Sequence, residues 1–158
     1  MKQVSQPRRR HVLHAIALCG TFVVACGDGP TEVDSLADLA GRWVATSVEF
    51  TVIADPQQTA DIIEQGGTRV LVIEENGSFR QETLFPGDTD TEIDAGIVQL
   101  TGDSLVFNPT GETVSFAHTL SGGVLTLEGN IVLERGDFGF TSDEFEIPAR
   151  LEISLRRS

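Results

Sequence analysis

The sequence predicts an all-β domain, an eight-stranded antiparallel up-and-down barrel with a short N-terminal helix and one short helix after the first strand. Three observations carry that prediction. Between Arg42 and Arg156, eight runs rich in Val, Ile, Thr, Leu and Phe follow one another, mostly across short turns. The strand–helix–strand alternation that builds parallel sheets is missing from them. The last run alternates Leu151, Ile153 and Leu155 with Glu152, Ser154 and Arg156, the period of a half-buried strand. Eight such strands close most naturally into a barrel, because closure removes exposed edges; a two-sheet sandwich is the alternative.

Residues 1–25 differ from everything after them. Lys2, Arg8, Arg9 and Arg10 make a basic opening, and Val12 to Ala25 form a modestly apolar stretch. That stretch has the length of a signal-peptide core and is too short to span a bilayer stably. Val23-Val24-Ala25-Cys26 resembles the lipobox of bacterial lipoproteins, in which aliphatic or small residues and then one small residue precede a cysteine. The resemblance implies cleavage before Cys26 and lipidation of that residue. Its partner would then be a membrane, held through two or three acyl chains where a single chain holds only marginally. The other cysteine, Cys19, follows Leu18, too large for the cleavage position, and leaves with the leader, so Cys26 keeps no disulfide partner. Residues 26–34 are the lipidated cysteine and a linker, with Gly27, Gly29 and Pro30 resisting helix and Asp28 and Glu32 keeping it solvated.

The domain spans residues 35–158. Ser35 with Asp38 three residues on reads as a helix N-cap with an acidic first turn, and Gly41 stands where a C′ residue would end it. Strands are expected over Arg42–Ile53, Arg69–Glu75 and Ser78–Phe85, the last two flanking Asn76-Gly77, a hairpin signal in which Gly77 takes a positive φ. With a three-residue loop and a bulge at Gly77, Leu71 and Ile73 share a face with Phe79 and Gln81. Further strands are expected over Ile93–Leu100, Ser104–Asn108, Glu112–Leu120, Val124–Glu128 and Ala149–Arg156. Between the first two strands lies Asp55 to Gly67, read as a helix: Asp55 caps, Pro56 suits the first helical position and Gly66 stops it.

Gly41-Arg42-Trp43, opening the first strand after a short helical turn, resembles the G-x-W signature of lipocalins and bacterial lipocalin-like domains. The Leu71-to-Phe79 hairpin and the closing Ala149-to-Arg157 run fit the same pattern, across roughly residues 35 to 158. The second lipocalin signature, a T-D-Y-like triplet, is missing, and the chain contains no tyrosine. The resemblance implies that Gly41 and Trp43 sit at the closed end of the barrel. An arginine of the last strand, Arg156 with Arg150 and Arg157 as alternatives, would cover the indole. It also implies that the Ala54–Gly67 connection borders the open mouth. Ile62 and Ile63 cannot both be satisfied on a free surface helix, so at least one is expected to face the barrel. Ile62, Ile63, Phe79 and Phe85 are therefore the expected ligand-binding residues.

Residues 26–158 carry seven basic and 24 acidic side chains, a net charge of −17, and no lysine. Such a surface repels phosphate backbones, which argues against a nucleic-acid partner. The same residues contain one histidine, His118, expected as a hydrogen-bonded interior or rim residue, so no histidine or thiolate metal site can be built. No G-x-S-x-G elbow, P-loop or dinucleotide fingerprint is present, and neither an enzyme nor a cofactor is expected. Asp88, Asp90, Glu92 and Asp94, like the acidic and aromatic run from Asp137 to Glu146, read as solvated segments rather than calcium loops. The expected protein is a lipoprotein of the bacterial envelope, at the outer membrane on its periplasmic or surface face. Its barrel would be a non-enzymatic module for a small, partly apolar ligand. The alternative is an envelope scaffold whose barrel is filled by its own side chains and whose loops contact another protein; bulky inward residues such as Trp43, Ile73, Phe79, Phe107 and Phe116 bear on that choice.

Overall fold

The computed structural model describes residues 30–110, 113–134, 137–140 and 145–158, so the leader and Cys26 lie outside the described residues. The strands are β1 (Pro30–Thr31), β2 (Gly41–Val52), β3 (Thr59–Asp61), β4 (Thr68–Ile73) and β5 (Ser78–Leu84). They continue with β6 (Glu92–Thr101), β7 (Ser104–Pro109), β8 (Val114–Ser121), β9 (Val124–Glu134) and β10 (Glu146–Arg157). Eight of them pair antiparallel in a ring: β2 with β4, then β5 to β10 in chain order, with β10 returning to β2. The fold is the closed eight-stranded up-and-down barrel. The two remaining strands are accessories, β1 lying against β8 at Ser121 and Leu120 and β3 against the upper half of β2.

Local chemistry sets the register. The Gly77 amide donates to the Glu74 carbonyl at 2.9 Å with Gly77 at φ 83°, so the β4–β5 loop is a turn closed by a left-handed glycine. Ile73 then faces Phe79 and Leu71 faces Gln81. In β2 the partner of Leu155 is Ala45 while that of Ser154 is Ser47, leaving Thr46 as a bulge. Inward positions shift accordingly, from Trp43 and Ala45 below the bulge to Val48, Phe50 and Val52 above it. The same bend moves β2 off β4, which it pairs through Gly41–Val44, and β3 takes the freed edge at Glu49–Thr51.

One end of the barrel is closed. Helix α1 (Leu36–Leu39) crosses it, with the Asp38 carboxylate accepting from the Ser35 amide at 2.9 Å. Leu39 is fully buried, and its carbonyl accepts from Trp43 Nε1 at 2.8 Å. Above that plug the lower interior is solid with Val48, Leu71, Ile73, Leu105, Leu125 and Leu155, all buried. The opposite end carries the connections over residues 53–67, 85–91, 110–113 and 135–145.

Two expectations need correction. No helix follows β2. Asp55 instead closes a tight turn by accepting from the Gln57 amide, and Thr59–Asp61 pairs as β3. The Asp61 carboxylate then accepts from the amides of Ile63 at 2.7 Å and Glu64 at 3.4 Å, allowing a single turn before Gly66, at φ 93°, ends it. A side chain that binds the following amides is a strong local alternative to a longer helix. Gly41 stands where expected, as the C′ residue after the Ala40 cap, at φ 136°, and it also opens β2. β9 also runs past Glu128 to Glu134, because Gly129 stays in the strand opposite Leu151. A Cβ on Gly129 would come within 2.8 Å of Phe116 Cδ1, so the missing side chain makes room for that ring.

Candidate functional site

Above the solid lower layer the barrel encloses a cavity of about 1050 Å³ toward the open end. Its lower wall is aromatic: Phe79 meets Phe107 edge-on at 5.0 Å between ring centroids, and Phe107 meets Phe116 the same way at 5.8 Å. Leu127, Ile131 and Leu133 of β9 and Leu151 and Ile153 of β10 continue the apolar lining, as period 2 requires of inward positions. Phe138, from the connection between β9 and β10, stacks on Phe50 at 4.7 Å and lies 6.0 Å from Phe85. Phe138 sits at φ 52°, a left-handed backbone uncommon for an aromatic residue, so its inward aim is held against a local cost.

The remaining wall is polar. On β4, Arg69 precedes Leu71 and Ile73 on the inward face, and its Nε donates to Thr83 Oγ1 at 3.1 Å. Among the described residues Thr83 is the only buried polar side chain, and Arg69 makes no ion pair. Gln81 lines the same wall and donates through Nε2 to Asp94 Oδ2 at 3.2 Å. Burial lowers the Arg69 guanidinium from its ordinary value to about 10, while Asp94 and Glu92 pull it the other way; it remains charged at neutral pH.

Comparison with models of known protein families found no match, and comparison with curated proteins found none either. The arrangement has to be read from its own chemistry.

Of the four expected ligand-lining residues, Phe79 and Phe85 line the cavity and Ile62 and Ile63 do not. Ile62 is fully buried in the core and Ile63 packs against that core, so the β2–β4 connection reaches the cavity through Gln65 instead. At the closed end the guanidinium over Trp43 belongs to Arg157, 4.7 Å from the ring centroid; Arg156 is exposed. The same Arg157 donates to the Asp38 carbonyl, and its Nε is the nearest atom to a Cβ placed on Gly41, at 3.9 Å. His118 is half-buried, with Nδ1 3.0 Å from the Asp103 carbonyl oxygen, and does not line the cavity. Among the described residues no three His, Cys, Asp or Glu side chains gather in a cluster able to hold a metal.

Sequence reasoning missed Arg69 and Phe138. Arg69 stands two residues before Leu71, so the strand period already put it on the inner face. Phe138 and Phe140 belong to a run read as solvated, yet Phe138 lines the cavity and Phe140 is buried, while Phe145 is 64% exposed.

Proposed function

We propose that this chain is a lipid-anchored lipoprotein of the bacterial envelope whose barrel binds a small, partly apolar ligand and performs no chemistry on it. The observation that carries the binding reading is the cavity. Ligand sites typically occupy about 300–1,000 Å³, mostly apolar with a few placed polar groups, and this one has that size and that division of its walls. It weighs against the filled-barrel scaffold, since side chains pack solid only around Trp43 and the layer above it. The membrane address rests on the lipobox resemblance at Val23–Cys26.

Native mass spectrometry of protein purified from its own envelope tests the binding reading. A co-purifying small molecule, released on unfolding, is the expected result; a bare protein mass that no added amphiphile shifts would refute it. For the address, Cys26→Ser should move the protein from the detergent phase to the aqueous phase. Partitioning that ignores the substitution would refute the anchor.

A further inference from the structure

Resting on the binding reading above, we propose that the ligand is a monoanionic amphiphile, its head group received by Arg69 and its apolar tail lying against the Phe79–Phe107–Phe116 wall. An arginine inside a barrel must be compensated, because a charge removed from water without a partner is costly. Arg69 is only partly compensated. Its Nε is used on Thr83, and no ion pair engages its terminal nitrogens among the described residues. A guanidinium offers five donors in a planar fork that suits a carboxylate or a phosphodiester anion. Burial has already lowered its hold on its proton, which is the signature of a desolvated cation.

The other basic groups differ. Arg80 pairs with Glu82 at 2.8 Å and Arg150 with Glu128 at 3.0 Å on the outer surface, while Arg157 is engaged over Trp43. Arg69 is the only basic side chain among the described residues that line the cavity.

The apolar lining argues for a tail. Leu127, Leu151, Ile153 and the three phenylalanines offer nothing to hydrogen-bond, so the part of the ligand facing them must be apolar. Charge count is limited by the rim. Glu92 and Asp94, exposed on β6 across from Thr83 and Gln81, face the same region as Arg69 and repel a second negative charge. These carboxylates therefore disfavour a dianionic head group beside the arginine.

The test is calorimetric titration of the purified full-length chain with decanoate, 1-decanol and decylammonium, which share a tail and differ in head charge. Decanoate should bind about tenfold or more tighter than 1-decanol, the scale of a charge-assisted hydrogen bond, with decylammonium weakest. Arg69→Gln should abolish the preference of decanoate over 1-decanol, and Arg69→Lys should restore part of it. Equal binding of acid and alcohol by the unaltered protein would overturn the anionic ligand but leave the cavity reading standing. Tightest binding of decylammonium would do the same, by assigning the head group to Asp94 and Glu92. Failure of all three to bind would sink both readings. Should Arg69→Gln fail to fold, the comparison of the three ligands on the unaltered protein still decides.

Discussion

Arg157 lies across the indole of Trp43 at 4.7 Å and hands a hydrogen bond to the Asp38 carbonyl, so one side chain from β10 ties the first barrel strand to the helix that plugs it. Trp43 is itself fixed through Nε1 to Leu39. Trp43→Ala should cost about 3–5 kcal/mol, the range for deleting a buried aromatic. Arg157→Ala should cost less, about 0.5–1 kcal/mol, as a cation–π contact made by an exposed arginine. Arg156→Ala should stay within about 0.5 kcal/mol, since the ring contact and the Asp38 hydrogen bond both belong to Arg157. Denaturant midpoints for the three variants check this order; equal losses at 156 and 157 would contradict the assignment.

Ile62 is 0% exposed although it lies in a connection. Ile62→Ala should therefore cost about 2–5 kcal/mol, like any large core aliphatic cut to Ala. Replacing Ala54–Gly67 with a short Gly-Ser turn should unfold the barrel rather than merely speed ligand release. A cooperative melt near that of the unaltered protein would show the connection to be dispensable.

The Asp61 carboxylate accepts from the Ser47 hydroxyl at 2.7 Å and from the amides of Val48, Ile63 and Glu64. Burial alone would raise its pKa, but those four donors outweigh it and hold the group below the ordinary 3.8. The unfolded chain then binds the proton more readily. Asp61 thus stabilises the fold above pH 3.8, and that contribution is lost as pH falls through the folded value. The stability difference between the unaltered protein and Asp61→Asn should be largest near neutrality and shrink in acid. A difference that stays constant to low pH would rule out this linkage.

Phe138 covers the cavity from a left-handed backbone, stacked on Phe50. Phe138→Gly removes the ring and relieves that backbone together. A bound fluorescent amphiphile should dissociate several-fold faster from this variant, with the barrel's far-UV spectrum unchanged. An unaltered dissociation rate would place the exit elsewhere.

The strands were legible because period 2 and turn chemistry agree in them: Leu151, Ile153 and Leu155 alternate, and Asn76-Gly77 fixes a register that brings Ile73 opposite Phe79. Extending that alternation by one step puts Arg157, not Arg156, on the inner face. The Asp55–Gly67 segment reads as a helix from sequence because Asp55, Pro56 and Gly66 imitate helix ends. What decides its shape is Asp61 reaching Ser47 at the bulge of β2, a contact that local sequence does not encode. The candidate site was half legible. Phe79 and Phe85 follow from apolar type, whereas Arg69 shares the inward face of Leu71 but carries a charge that ordinarily belongs in water.

The seam between β2 and β10 joins Trp43 to Arg157 and Val52 to Ala149, so nearly the whole domain separates the two strands it unites. Ring closure is therefore a late event in folding, waiting on the contact of greatest loop entropy, and an all-β chain with such distant pairings belongs among millisecond-to-second folders rather than microsecond ones. Until β10 docks, β2 and β9 each present an open edge able to recruit a strand from another molecule. A newly made copy is most exposed to aggregation in that interval, and a holding factor that shields strand edges would act there to raise the yield of closed barrels.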